Sequence, residues 1–440
     1  TTPTSSVFSL GTDATVNASG GSYVAYLFAS NAGGFGASGA DNAISCGTYS
    51  GNSGTQEINI GYEAQWVLIK RTDTTGDWVL YDTMRGMANS SDNQPKLLAN
   101  TSAAEVADFR IYAWAQGFGF NNDSSPAVNA TGGTYIYIAI RRGPMKTPTT
   151  GTSVYTPYEV PASPTTGAIT GFVTDAGFIG QRSGADKFYW GSRLAGKATL
   201  KSTTTSAEAA NSNEIWDRMN GWWNSAINGY MTWGFQRAPG FMDVVCYAGN
   251  GVSGRNITHN LTVSPELVII KGRNRVDDWV VRSSAFPTHG VNGIAYLNLS
   301  DAATNAGYSY VPTTTTFQVE SNNNQNGSGY TYVAYLFASV AGVSKVGSYT
   351  GTGATQTINC GFTGGARFVL IKRTDSTGNW YVWDTARGMV SGTDPRFALN
   401  STASETNANW VYTTGVGFQI VTTDANVNAS GGSYIFLAVS

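Results

Sequence analysis

Residues 67–87 read VLIKRTDTTGDWVLYDTMRGM, and residues 369–389 read VLIKRTDSTGNWYVWDTARGM. Two stretches this alike, about 300 residues apart, make the chain a repeat protein before any other feature is weighed. Their content fixes the local structure. VLIK and the Trp-led run are β-branched and aromatic stretches of strand length. RTDSTG between them carries Asp, Ser and Gly, the chemistry of a hairpin turn. The likeness continues outward on both sides. GTYSGNSGTQEINI at 47–60 matches GSYTGTGATQTINC at 347–360, and Asn100 to Glu105 matches Asn400 to Glu405. Each copy ends on an apolar strand, GGTYIYIAI at 132–140 and GGSYIFLAV at 431–439. A strand apolar at nearly every position is expected in the middle of a sandwich, with both faces covered.

A more distant copy lies between these two. LVIIK at 267–271 is followed by Trp279 at the same spacing that separates Lys70 from Trp78 and Lys372 from Trp380. It closes with YVAYLFAS at 332–339, and the same letters stand at 23–30. The N-terminal residues therefore read as the tail of another unit, from a start inside a longer polypeptide. A fourth, divergent unit carries GFIGQRSGADKFYWGSRLAG, and its Glu208 takes the place of Glu105 and Glu405. The array divides as 1–30, the end of an incomplete repeat; 31–142, a β unit; 143–164, a linker; 165–240, the divergent β unit; 241–342 and 343–440, two further β units. The linker is set by composition, since 143–165 holds five of the 13 prolines among many Thr and Ser. The expected fold is all-β: small sandwiches of roughly 100 residues and seven to ten strands, with little helix. One short helical turn is expected at NSTASE and another within 206–223.

Composition excludes several functions. Lys plus Arg is 26 and Asp plus Glu is 28, a net charge of −2. Charged residues are only 12%, too sparse for a nucleic-acid-binding patch or a coiled coil. No apolar run approaches a membrane span, so no membrane insertion is expected. Three widely separated cysteines, Cys46, Cys246 and Cys360, exclude a disulfide framework and lack metal-ligand spacing. The two histidines, His259 and His289, occur in one unit only and have no counterparts in its sisters.

Catalytic motifs are missing: there is no GxSxG, HExxH, Walker loop or dinucleotide fingerprint. Asp73 and Asp375 follow the LIKR strand, while Asp82 and Asp384 precede Arg85 and Arg387. Paired carboxylates serve glycosidases or, with carbonyls, Ca²⁺. Recurrence in several units favours turn residues and an Asp–Arg bridge instead, because an active site needs to occur only once. On the same ground Lys70, Lys271 and Lys372 read as solvated strand ends, and Trp78, Trp279 and Trp380 as core. Neither cofactor nor metal is expected. The repeated Asn-x-Ser/Thr triplets, at Asn17, Asn129, Asn256 and Asn428, follow from composition and are not read as glycosylation sites.

The long strings SYTGTGATQTINCGFTGGARFVLIKRTDSTGNWYVWDTARGMVSGTDPRFALNSTASE and FMDVVCYAGNGVSGRNITHNLTVSPELVIIK resemble a repeat of tail proteins of tailed bacteriophages and prophages. The likeness runs from Thr1 to Ser440. It implies a structural and adhesive tail component, a fibre or tail tip that contacts the host surface from the virion, outside the cell. It transfers no catalytic residue, so the reading is non-enzymatic. The implied partners are other tail proteins, a host glycan or protein receptor, and copies of the chain itself, a trimer by analogy with fibres. The alternatives are a tailspike-type enzyme that degrades polysaccharide, and a virion decoration protein or cell-surface adhesin. Receptor contacts are expected from loops that differ between units. The candidates are WDRMNGWWN at 216–224, with Trp216, Trp222 and Trp223, and RSSAFPTHGVNG at 282–293, with Phe286 and His289.

Overall fold

The computed structural model describes residues 3–36, 38–89, 94–109, 111–160, 167–185, 187–211, 214, 216–222, 229–308, 310–392 and 394–440. The first complete repeat lays down nine strands: β1 (Ile44–Ser50), β2 (Gln56–Asn59), β3 (Ala64–Arg71), β4 (Trp78–Asp82), β5 (Gln94–Leu98), β6 (Val106–Phe109), β7 (Ile111–Trp114), β8 (Gly117–Phe120) and β9 (Thr134–Arg141). They form two antiparallel sheets. The larger has the order β1-β9-β3-β4-β5-β6 and the smaller β2-β8-β7. The turn RTDTTG joins β3 to β4, whose register pairs Lys70 with Trp78. The closing strand β9 hydrogen-bonds to both β1 and β3, which makes it a central strand of the larger sheet.

The same strand order recurs three more times. Unit I is 44–141, unit II is 155–235, unit III is 242–337 and unit IV is 344–439. Among the described residues units I and IV have nine strands each, and units II and III have eight, their smaller sheet being two-stranded. The all-β tandem architecture expected from the sequence is present. Two expectations need correction. The linker 143–164 holds a strand, Tyr155–Glu159, at the edge of the unit II sheet, where it pairs with Tyr230–Phe235. Unit II therefore begins before residue 165. The helical turn at NSTASE is absent, and within 206–223 none is present among the described residues, which include the short strand Ala209–Ala210; residues 212, 213, 215 and 223 of that expectation lie outside them. Backbone amides in both segments are taken by neighbouring units: Glu405 N–H donates to Arg182 O at 2.8 Å, and Glu208 N–H to Arg273 O at 2.6 Å.

Period-two alternation explains the packing. In unit IV, Val369, Ile371, Trp383, Phe436 and Ala438 point at the smaller sheet and form a private core. Leu370, Val382, Ile435, Leu437 and Val439 point the other way into a core shared between units. Unit III divides likewise. Val268, Ile270, Val280, Ala334 and Leu336 face its own small sheet. Ile269, Val281, Val333, Tyr335 and Phe337 enter the shared core. Covering both faces of a sheet at roughly 1.5–3 kcal/mol per large side chain is the main source of stability.

Units II, III and IV close a ring by one repeated contact. Trp380 of unit IV donates Nε1–H to Tyr296 O of unit III at 2.8 Å. Trp279 of unit III donates to Lys201 O and Thr204 O of unit II at 3.1 and 3.2 Å. In unit II Phe188 stands at this position and meets Phe397 of unit IV edge to face, ring centres 5.3 Å apart. Ser202 of unit II also donates to Leu399 O of unit IV at 2.7 Å. Lysines follow the same circuit. Lys372 reaches Ser300 O, Lys271 reaches Thr205 O, and Lys187 reaches Ala403 O. All three are buried. For Lys271 and Lys372 this is contrary to the sequence reading of solvated strand ends, because a neighbouring loop covers each, whereas Lys70 is half-buried. Burial pushes Lys187, Lys271 and Lys372 down to about 8.

Unit I sits outside this ring. Its Trp78 is half-buried, whereas Trp279 and Trp380 are buried as expected. It is held by a buried charge cluster where units I, II and III meet. Glu63 accepts from Arg237 Nη1 and Nη2 at 2.9 and 2.5 Å, and Arg142 lies 3.4 Å from the same carboxylate. Asp243 is 3.5 Å from Arg237, and Asp175 is 3.5 Å from Arg193. Burial alone would weaken the charge on Arg237, but Glu63, Asp175 and Asp243 more than reverse it and hold the guanidinium firmly ionised.

Candidate functional site: what the repeats use and what the loops leave

The repeated polar residues are spent on the fold. Asp384 pairs with Arg387 at 2.6 Å, both fully buried, and also accepts from Trp233 Nε1 of unit II at 3.0 Å. Asp82 pairs with Arg85 at 2.7 Å. Asp73 and Asp375 bind Arg71 and Arg373 across the turn at 2.8 and 3.0 Å. The Asp–Arg bridge read from the sequence is thus the arrangement found. The recurring glutamate joins units: Glu405 accepts from Arg182 of unit II, and Glu208 from Arg273 of unit III.

A further repeated device escaped the sequence reading. Asn129, Asn326 and Asn428 are fully buried. Asn428 donates to Ala354 O and Thr422 O at 2.8 and 2.6 Å and accepts from Thr352 N–H at 2.9 Å. Asn129 and Asn326 make equivalent bonds in units I and III. Beside each, a tyrosine hydroxyl ties the corner before the closing strand. Tyr434 donates to Ala425 O and accepts from Ala429 N–H, both at 2.8 Å. Tyr349 stacks on Tyr434 at 4.9 Å, as Tyr49 does on Tyr135 and Tyr247 on Tyr332. Asn129 and Asn428 sit in Asn-x-Ser/Thr triplets, and burial bars both from glycosylation. The signal available in the sequence was the fixed distance from each Asn to the Tyr that opens the closing strand.

The proposed receptor loops lie differently from expectation. Trp216 and Trp222 are buried and stacked on each other, ring centres 5.1 Å apart. Trp222 belongs to a short strand paired with Ala168–Ile169. Trp223 lies outside the described residues. Phe286 is buried, packed against Gly293, where a Cβ would come within 2.5 Å of its ring. Its apolar ring fills the core instead of facing solvent. His289 alone of the described candidates is half-exposed, beside a short turn of helix at Gly290–Asn292. His259 is buried: Leu261 N–H donates to its Nδ1, and its Nε2 faces Thr313 O. Burial lowers its pKa, which fixes a neutral ring in a structural role.

Trp216 nevertheless borders a cleft of about 340 Å³ between units I and II, within reach of the ~300–1,000 Å³ of small-ligand sites. Arg85 and Glu105 contribute from unit I, and Lys197, Glu214, Trp216 and Asp217 from unit II. Trp216 is oriented by its Nε1–H bond to Gly196 O at 3.0 Å, and Arg193 lies over its ring at 5.9 Å. Glu214 is fully buried, and neither carboxylate oxygen has a hydrogen-bond partner. Burial raises its pKa well above the ordinary carboxyl range. Among the described residues no group of three or more His, Cys, Asp or Glu gathers to hold a metal ion, and no helix is long and apolar enough to cross a membrane.

A family described as a domain of unknown function, DUF7483, matches residues 1–144 and 224–440. The chain belongs to this family. The matched stretches span units I, III and IV and the N-terminal tail. They leave out 145–223, which holds Glu214, Trp216 and Trp222. No curated protein matches the chain.

Proposed function

We propose that this member of the DUF7483 family is a non-enzymatic structural and adhesive component of a bacteriophage tail, a fibre or tail tip on the virion, that contacts the host surface. The reading rests on the resemblance of its repeats to phage tail proteins. The observation that carries it furthest is how the repeated chemistry is used. The repeated Asp–Arg pairs bind a unit to itself, and Lys372, Trp380 and Glu405 bind unit IV to its neighbours. A chain whose recurring polar groups build an assembly is suited to bearing load and presenting surface. The place left for a ligand is the cleft of the divergent unit, where Trp216 and the flanking Arg85, Glu105, Lys197 and Asp217 offer an aromatic wall and polar groups to a surface glycan. Labelling virions with an antibody against residues 343–440 tests the location: tail-bound label supports the proposal, and unlabelled virions refute it. Trp216→Ala in a folded particle should reduce adsorption to the host.

One observation favours the polysaccharide-degrading alternative. Glu214 is a buried carboxyl beside the cleft whose pKa burial raises, the direction a general acid needs. Release of reducing sugar from host polysaccharide, lost in Glu214→Gln, would establish the enzyme. Absence of any release supports the adhesive reading.

A further inference from the structure

The larger sheet of unit I leaves bare the face that its sisters bury. Leu370, Trp380, Val382, Ile435 and Leu437 of unit IV are all in the shared core. Their counterparts in unit I are Leu68, Trp78, Leu80, Ile136 and Ile138. Ile136 is 37% exposed and the other four are half-buried. The opposite face of the same sheet, with Val67, Ile69, Val79, Tyr81 and Ala139, is fully buried. Unit I is therefore a well-packed sandwich with one apolar sheet face open.

The tail before it also exposes apolar residues. YVAYLFAS at 332–339 supplies the closing strand Thr331–Phe337 of unit III, paired on both sides. The same sequence at 23–30 has no strand partner among the described residues. Val24 is 79% exposed, Tyr26 82% and Leu27 75%. The corner leading into it is nonetheless built. Asp13 caps a short helix, Ala14–Asn17, and Tyr23 donates to Ala14 O at 2.8 Å and accepts from Ala18 N–H at 2.7 Å. Those are the bonds of Tyr434 in unit IV. Asn17 donates to Gly11 O at 2.7 Å, as Asn428 donates to Thr422 O.

The joint from this tail to unit I repeats the joint from unit III to unit IV. Ser30 Oγ donates to Cys46 O at 3.2 Å and accepts from Cys46 N–H at 3.0 Å. Ser339 Oγ does the same with Val346, at 3.4 and 3.0 Å. Asn31 N–H donates to Ile44 O, as Val340 N–H donates to Ser344 O. At the unit III–IV joint, this geometry places the Tyr296–Ser300 loop over Trp380 and Lys372.

We infer that the open face of unit I is a docking surface for a β unit of this same fold, closed by residues 7–29, which seats on Trp78 and Lys70 as unit III seats on Trp380 and Lys372. Val24, Tyr26 and Phe28 then enter a shared core with Leu68, Ile136 and Ile138, in the places that Val333, Tyr335 and Phe337 hold in the ring. This inference stands independently of any tail or receptor role.

The test supplies the missing strands. Phe8 and Leu10 align with Phe317 and Val319, so residues 241–310 are fused ahead of Thr2 in the otherwise intact chain. Hydrogen exchange of 23–29 should slow by about 100-fold or more, and hydroxyl-radical oxidation of Trp78 should fall to the rate of Trp380. Protection of 23–29 with Trp78 as reactive as before would overturn the inference, because the completed unit would then seat elsewhere. The unmodified chain gives a second readout that does not depend on the fusion folding. It should sediment as a monomer with Trp78 oxidised faster than Trp279 and Trp380. A trimer dissociated by Trp78→Asp would make a second copy the occupant, and a monomer with Trp78 protected would mean the face is already covered; either result overturns the inference.

Discussion

Replacing Trp380 and Trp78 by alanine, one at a time, separates position in the repeat from position in the assembly. The two tryptophans hold the same place in near-identical sequences. Trp380 is 1% exposed and donates to Tyr296 O of the next unit. Its truncation removes a large core aromatic, at about 3–5 kcal/mol. It also strands a carbonyl in the interface, adding on the order of 1 kcal/mol. Trp78 is half-buried and, among the described residues, makes no bond to another unit, so its loss should cost roughly 1–2 kcal/mol from the smaller area removed. A chain of several packed units is not expected to unfold in one step, so a single melting curve is a poor readout. Native-state hydrogen exchange of the two closing strands reads each unit separately. A difference of about 2–4 kcal/mol corresponds to roughly 30- to 1,000-fold in exchange rate. Trp380→Ala should accelerate exchange in Ser433–Val439 by that much more than Trp78→Ala does in Thr134–Arg141. Equal acceleration in the two strands would refute the claim that the ring, and not the sandwich alone, stabilises unit IV.

Three other outcomes follow from particular groups. Lys187, Lys271 and Lys372 titrate near 8 when folded against an ordinary 10.5, so the unfolded chain binds more protons between those values and stability should rise with pH through that window. Cys246 and Cys360, pushed up to about 11 and about 12, oppose the rise above pH 9, so urea midpoints should climb most clearly from pH 8 to 9, and Lys271→Met with Lys372→Met should flatten the climb. Glu63→Ala leaves Arg237 buried without its main counter-ion and should cost about 3–5 kcal/mol, with unit I released first in limited proteolysis. Gly351 lies so close to the facing chain that a Cβ would stand 2.2 Å from Ala429 O, so Gly351→Ala should speed hydrogen exchange in Ser433–Val439, while alanine at the open Gly415 leaves it unchanged.

The sandwich was legible because strand pattern, turn chemistry and closing strand recur together, and a one-residue slip would turn each apolar set to the wrong face. The Asp–Arg bridges were legible for the same reason. The buried lysines were not: Lys372 is hidden by a loop that starts at Tyr296, and nothing local to the LIKR strand encodes that cover. Trp78 misled for the converse reason. Its neighbours in sequence match those of Trp380, but no loop lies over it. Trp216, Trp222 and Phe286 are buried and not exposed, because an aromatic cluster in a divergent loop signals burial as well as recognition. Trp216 and Trp222 satisfy each other by stacking, and only the margin of Trp216 faces the cleft. Glu214 gave no signal, since its burial comes from packing that its neighbours in sequence do not encode.

The closure of the ring between units II and IV is tested most directly by a double-mutant cycle on Phe188 and Phe397. These residues are 209 apart in sequence and meet with ring centres 5.3 Å apart and planes at 80°. The cycle compares Phe188→Ala, Phe397→Ala and the double variant by exchange of the closing strands Tyr230–Phe235 and Ser433–Val439. A closed ring predicts a coupling of roughly 0.5–1.5 kcal/mol, the range for an edge-to-face aromatic pair. Additive effects, with no coupling beyond error, would mean that units II and IV do not touch and that the chain is an open string of sandwiches.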